Sequence, residues 1–145
     1  MKVYLDTSSL NRVFDDQSQP RIYLEASAMI TIFAMREEGP LRLVSSEVLV
    51  YENEANPFAE RRSFVTAMLK KAEEVQKIDE QMLGRAQQIE KSSGIKGIDA
   101  LHLACAERLK AVFLTCDDKI LKRHSGKKLR VMNPVDFAWR HAEEQ

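Results

Sequence analysis

Short apolar runs alternate along the chain with longer segments whose apolar positions recur at helical spacing. The runs that predict strands cover residues 2–5, 41–46, 75–78, 112–115 and 129–132. Helical spacing and capping residues predict helices over 21–38, 47–53, 57–74, 79–92, 98–110 and 119–123, with a further helix starting at Asn133–Pro134. This alternation is typical of a mainly parallel sheet with helices on both faces.

The composition predicts one globular domain over residues 1–145. No internal repeat, low-complexity segment or linker divides the 145 residues. The 22 Lys and Arg residues balance the 22 Asp and Glu residues, so net charge gives no sign of a nucleic-acid partner. No apolar stretch approaches the ~20 residues that cross a bilayer. An acid interrupts the first apolar run, and Cys105 and Cys116 lack metal-ligand spacing. We therefore expect a cytoplasmic protein without a signal peptide or membrane contact.

Acidic residues follow the predicted strands. Asp6 ends the first strand, Glu52 comes six residues after Ser46, and Asp117 follows the strand 112–115. Asp99 opens the helix that leads into that strand. Ligands of parallel α/β sheets bind at the carboxyl ends of the strands, so these four acids are candidates for one site.

Four carboxylates at one edge would need a cation. Two of them 4 Å apart repel by about 4 kcal/mol at an effective dielectric constant near 20. Mg²⁺ or Mn²⁺, which prefer carboxylate oxygens, would relieve this repulsion and activate water against a phosphodiester. Each acid taken alone has a simpler explanation, because Asp and Ser also cap helices.

The motifs LDTSSLNRVFDD, VSSEVLVYE, GIDALHLACA and FLTCDDKIL occur in this order along the chain. Their order and spacing resemble those of the PIN-domain family, including the VapC toxins of bacterial toxin–antitoxin pairs. The resemblance extends from Lys2 to about Trp139. It implies a three-layer α/β/α sandwich, an endoribonuclease activity dependent on Mg²⁺ or Mn²⁺, a cognate antitoxin and a homodimer.

The resemblance also implies roles for individual residues. The four acidic positions fall on Asp6, Glu52, Asp99 and Asp117, as catalytic residues and metal ligands. Asp6 and Asp99 would bind the metal directly, while Glu52 and Asp117 would complete the shell or orient water. The hydroxyl position of the family corresponds to Thr7 or Ser8, with Thr115 at the other strand end.

Several neighbours compete for these roles. Glu47 and Glu54 are alternatives to Glu52, which fits the family spacing from Ser46 best. Asp118 is an alternative to Asp117, and a cap of the next helix is the simpler role for it. His102 shares a helix face with Asp99, although a packed histidine bonded to backbone is the favoured interpretation.

Basic residues offer candidate contacts to RNA. Arg12 follows Asp6 and approaches either RNA phosphate or one of the acids Asp15 and Asp16. Lys119 begins a run of six cations that extends to Arg130 without an intervening acid, and this run could follow an RNA backbone. The alternative is a solvated charged surface.

Other functions compatible with this acid pattern are a PIN-fold module that binds RNA or protein without cleavage, a receiver domain and a haloacid-dehalogenase-type phosphatase. A receiver domain would need an acid pair at the end of the first strand and a lysine after the last strand, and this sequence has neither. A haloacid-dehalogenase-type phosphatase would need an Asp-x-Asp motif after the first strand, which is also missing.

Overall fold

The computed structural model describes residues 1–142; the last three residues of the predicted domain lie outside the described part. A five-stranded parallel sheet is flanked by helices in three α/β/α layers, which confirms the predicted fold class. The strands are β1 (Lys2–Leu5), β2 (Arg42–Ser46), β3 (Glu74–Gln76), β4 (Val112–Leu114) and β5 (Val131–Met132). The helices are α1 (Thr7–Leu10), α2 (Pro20–Glu38), α3 (Glu47–Glu54), α4 (Ala59–Leu69), α5 (Glu80–Ser93), α6 (Gly97–Leu109), α7 (Asp118–Arg123) and α8 (Pro134–His141), and a 3-10 turn covers Arg12–Phe14.

The strand order β3-β2-β1-β4-β5 reverses direction at β1. The chain adds β2 beside β1 and then β3 beside β2, and it afterwards crosses back to place β4 on the other side of β1. Such a reversal opens a crevice at the carboxyl ends of the two central strands. The crevice lies where Asp6 leaves β1 and Thr115 leaves β4.

The helix predicted over 57–74 is shorter at both ends. The Asn56 side chain accepts a hydrogen bond from the backbone N–H of Phe58 at 2.9 Å, a turn that delays the helix to Ala59. At the other end, Glu73 already donates its backbone N–H to Leu43 of β2 at 2.9 Å. The chain must therefore leave the helix after Leu69 to join the sheet.

The start of α6 also differs from the prediction that Asp99 opens it. Lys96 occupies the cap position without a side-chain hydrogen bond, and Asp99 lies in the first turn. The Glu90 carboxylate accepts the N–H of Gly97 instead, at 2.6 Å. The Asp99 side chain therefore does not cap α6.

The core is densest around the central strands. Register pairs Tyr4 of β1 with Phe113 of β4, and their fully buried rings stack with centroids 5.5 Å apart. Helix α6 packs on α5, while α2 packs on α8. Among residues 1–142, no helix combines the length and the apolar character needed to cross a membrane.

Candidate active site

Asp6 and Thr115 leave the sheet side by side. The register pairs Leu5 with Leu114, so the next residue of each strand emerges at the same height. Thr115 Oγ1 donates a hydrogen bond to Asp6 Oδ2 at 2.6 Å, and Asp6 Oδ1 accepts from Ser8 Oγ at 2.7 Å and from the N–H of Ser9 at 2.9 Å. Burial raises the pKa of Asp6 above its ordinary value, although these hydrogen bonds favour the charged form.

Glu52 reaches the same edge from α3. Its Oε1 accepts hydrogen bonds from Thr7 Oγ1 and from His102 Nε2, the latter at 3.1 Å. Burial opposes ionisation, but these two donors hold the pKa of Glu52 below its ordinary value. Glu52 therefore carries its charge while fixed between α1 and α6.

A buried chain of hydrogen bonds supports His102. The Tyr4 hydroxyl lies 2.6 Å from His102 Nδ1 and 2.6 Å from Ser46 Oγ, which also caps α3 by accepting the Leu49 N–H. Burial holds the pKa of Tyr4 well above its ordinary value, so the phenol keeps its proton. When Nε2 of His102 carries the proton and donates to Glu52, Nδ1 accepts from the Tyr4 hydroxyl, which in turn accepts from Ser46.

This arrangement corrects the favoured interpretation of His102 as a packed histidine bonded to backbone. Both of its ring nitrogens contact side chains, and one of these is the Glu52 carboxylate. The sequence does not predict Tyr4 or Ser46 as part of the site. The available signal was a tyrosine within a buried strand, since a buried phenol needs a hydrogen-bond partner.

Asp99 lies among the other acids without a hydrogen bond or ion pair from any of residues 1–142. Burial raises its pKa most, followed by repulsion from the Asp117 carboxylate and, more weakly, from Asp6 and Glu52. Asp117 caps α7 through Oδ1, which accepts the Lys119 N–H at 2.8 Å, and its own N–H binds Thr115 Oγ1. The four acids predicted from the strand ends therefore share one electrostatic environment.

The competing acids are held elsewhere. Arg21 binds Asp118 through two hydrogen bonds of 2.7 and 2.8 Å. Glu47 accepts the N–H of Ile78 at 3.0 Å, and Glu54 lies exposed at the end of α3. Of these alternatives, only Glu52 and Asp117 belong to the cluster.

Arg12 is engaged in ion pairs. Its guanidinium contacts Asp15 at 3.1 Å and Glu25 at 2.7 Å, which is the acid-paired alternative to an RNA contact. It nevertheless lines a groove of about 410 Å³ beside Thr7 and Glu52. Lys119 lines a second cleft beside Asp99. Cys116 is a buried thiol whose pKa is raised by burial to about 12, as expected for an inert packing residue.

The PIN-domain family model matches residues 3–127. The chain belongs to the PIN-domain family. PIN domains are generally nucleases, and those nucleases typically use divalent metals.

Solved structures agree with this assignment at the level of the fold. VapBC-1 from nontypeable Haemophilus influenzae is 18% identical with a TM-score of 0.57, covering 92% of this chain and 98% of that one. VapBC2 from Rickettsia felis, bound to a DNA fragment from its promoter, is 15% identical with a TM-score of 0.56 over 92% and 98%. VapBC-5 from Mycobacterium tuberculosis, of the VapBC family of toxin-antitoxin systems, is 17% identical with a TM-score of 0.52 over 91% and 98%. No curated protein matches the chain with significant similarity.

The acids of this PIN domain suit a hard divalent cation in their chemistry. No residue of 1–142 donates a hydrogen bond to the Asp99 side chain, and its pKa is raised by burial and by like charges, so a cation would stabilise its charged form. Asp6 uses three of its roughly four acceptor positions and keeps one. As the side chains stand, no three His, Cys, Asp or Glu groups of residues 1–142 are arranged to hold a metal. The carboxylate oxygens suit a hard divalent cation in their chemistry, but in this arrangement they do not form a complete set of metal ligands.

Proposed function

We propose that this PIN domain, spanning the whole chain, is a cytoplasmic endoribonuclease that hydrolyses phosphodiester bonds of single-stranded RNA. The observation that carries the proposal is the Asp99 carboxylate, which has no partner within residues 1–142 and whose pKa is raised by burial and then by Asp117, Asp6 and Glu52, near the reversal point of a PIN fold. Mg²⁺ or Mn²⁺ would be held by Asp6, Asp99 and Asp117, with Glu52 completing the set. When bound, the ion would supply Lewis-acid stabilisation of charge on the scissile phosphate.

The side chains around the acids have positioning roles in this proposal. Thr115 and Ser8 hold the Asp6 carboxylate through its two oxygens. Thr7 and His102 hold Glu52 through Oε1, and no residue of the described chain donates to its Oε2. Glu52 thus offers a fixed, ionised oxygen that can accept a proton or a hydrogen bond at the reacting water.

The test is cleavage of labelled single-stranded RNA with Mg²⁺ or Mn²⁺ and with EDTA. Asp6→Asn, Asp99→Asn and Glu52→Gln should each lower the rate on the order of a hundredfold or more. Glu54→Gln, on the same helix as Glu52 but exposed, is the matched control and should retain the wild-type rate. Asp6→Asn with the wild-type rate in clean preparations would exclude the proposal, and RNA binding without turnover would favour a non-catalytic PIN module.

A cognate antitoxin is proposed as partner, because similar folds were solved as VapBC complexes. Expression of the chain alone should arrest growth, and Asp6→Asn should remove the arrest. Growth unaffected by a soluble, RNA-cleaving wild-type protein would contradict a toxin role.

A homodimer is proposed through α2. This helix leaves Tyr23, Leu24 and Ile30 more than half exposed, and α8, which packs on α2, leaves Trp139 85% exposed. The apolar side chains of α4 pack into the core instead. Sedimentation equilibrium should give twice the chain mass for wild type and the chain mass for Ile30→Glu; a monomeric wild type would refute the dimer.

A further inference from the structure

A basic cleft adjoins the acid cluster on the side of α6 and α7. Its volume is about 270 Å³, and its charged lining consists of Lys96, Asp99, Lys119 and Arg123. We call this the α6–α7 cleft. Because Asp99 belongs both to the cleft and to the acid cluster, a group bound in the cleft lies next to the candidate active site.

The cations of the cleft differ from those of the groove on the other side. In that groove, Arg12 is paired with Glu25 and Asp15, and Arg61 contacts Asp15 at 2.9 Å. Lys96 and Lys119 have no ion pair or side-chain hydrogen bond with any of residues 1–142. The α6–α7 cleft therefore keeps positive charge for an external anion.

Three other charged side chains near the cleft, those of Arg123, Glu90 and Asp118, already have a partner. Arg123 donates one hydrogen bond to the carbonyl of Gly94 at 3.2 Å and forms no ion pair within residues 1–142. Glu90 is bound to the N–H of Gly97, and Asp118 is bound to Arg21. Asp99 is the acid that lines the cleft, and metal binding would offset its charge.

The turn that presents Lys96 has a defined backbone. Gly94 and Gly97 both adopt left-handed conformations, with φ of 77° and 60°, which few other residues accept. The Glu90 and Arg123 side chains tie the two ends of the turn down. Lys96 thus projects from a fixed position instead of from a loose loop.

From this geometry we infer that the α6–α7 cleft binds a backbone phosphate of the single-stranded substrate, next to the phosphate that is cleaved. The inference rests on the proposed function and deepens it. Lysine and arginine side chains recognise phosphate by charge and hydrogen bonding, and this contact is independent of base sequence. The single-stranded nucleic acid would therefore run from the acid cluster along α7. The groove beside Glu52 would contribute little to its binding, because the cations of that groove are paired with acids.

The test measures binding separately from cleavage. Fluorescence anisotropy of a labelled single-stranded RNA, and of DNA of the same sequence, is recorded in EDTA from about 50 to about 300 mM KCl. The variants are Lys96→Gln/Lys119→Gln, which leaves the Arg123 contact to Gly94 in place, and Lys70→Gln. Lys70 follows α4 at the opposite edge of the sheet, where it has no side-chain partner among residues 1–142, and is the matched control.

We expect the affinity of the double variant to fall by about fivefold for each lysine replaced. This is the largest change in affinity that an exposed ion pair typically gives. The slope of log K against log salt should fall by roughly 0.7 for each phosphate contact removed. Both effects should be equal for RNA and DNA and absent in Lys70→Gln. Thermal unfolding at the wild-type temperature verifies that the double variant is folded.

A salt slope equal to that of Lys70→Gln would overturn the inference, as would binding of polyglutamate in preference to the oligonucleotide. The two proposals fail differently. A wild type that cleaves RNA while the double variant keeps its slope refutes the cleft alone. A wild type that binds through the cleft but never cleaves refutes the ribonuclease.

Discussion

Tyr4→Phe is the perturbation that isolates the buried hydrogen-bond chain behind Glu52. It removes one oxygen and leaves the stack on Phe113 and the edge contact with the His102 ring, at 5.5 and 5.7 Å, in place. The lost hydroxyl contacts His102 Nδ1 and Ser46 Oγ, both at 2.6 Å. Because His102 is 2% exposed and Ser46 is fully buried, water cannot replace it.

The expected cost follows from the polar atoms left without a partner. A buried donor or acceptor without a partner costs about 1–3 kcal/mol. Ser46 Oγ still accepts the Leu49 N–H, so His102 Nδ1 bears most of the loss. We expect the free energy of unfolding to fall by about 2 kcal/mol, and Tm to fall by roughly 4–8 °C for a chain of this size.

Urea unfolding of the metal-free protein measures this fall in the free energy of unfolding. A double-mutant cycle with Ser46→Ala shows how much of it comes from the Tyr4–Ser46 contact. Ser46→Ala alone removes the cap of α3 as well, at about 1 kcal/mol, and that part is additive. The Tyr4–Ser46 contact should appear as a coupling energy of at least about 0.5 kcal/mol. RNA cleavage by Tyr4→Phe should fall too, because His102 is then free to adopt the tautomer that cannot donate to Glu52. The hydrogen-bond chain would be refuted if Tyr4→Phe lowered the free energy of unfolding by less than about 0.5 kcal/mol and if its effect and that of Ser46→Ala were additive.

Three further predictions follow from the charges. Asp99→Asn should stabilise the metal-free protein by up to about 1 kcal/mol in urea unfolding at pH 7, because the variant no longer buries a charge and no longer repels Asp117; a destabilised variant would contradict this. Millimolar Mg²⁺ should raise Tm of wild type in calorimetry more than that of Asp99→Asn, and equal shifts would argue against Asp99 as a ligand. Glu25→Gln should cost about 3 kcal/mol, since burial raises the pKa of Glu25 but hydrogen bonds from Asn133 and Arg12 outweigh it and lower this pKa from 4.5. The stability contributed by Glu25 is present above pH 4.5 and lost as pH falls below it, so the difference from wild type should shrink in acid; a constant difference would exclude this linkage.

The fold and the four acids could be predicted from the sequence because they depend on local patterns. Strand runs, helical periodicity and stops such as Gly39–Pro40 act over a few residues, and the parallel arrangement follows from their alternation. The acids could be found because parallel strands expose their carboxyl ends at a common edge. Asp6 directly follows a buried run, and Asp117 lies two residues after the end of another.

Only the tertiary structure decided which residues work together. Ser46 and His102 lie 42 and 98 residues after Tyr4 along the chain, and the pairing of β1 with β2 together with the packing of α6 on the sheet brings each of them within 2.6 Å of the Tyr4 hydroxyl. Pairing also decided which charges stay free. Arg12 is neutralised by Glu25, whereas Lys96 and Lys119 meet no acid partner, and sequence spacing carries no information on such long-range partners.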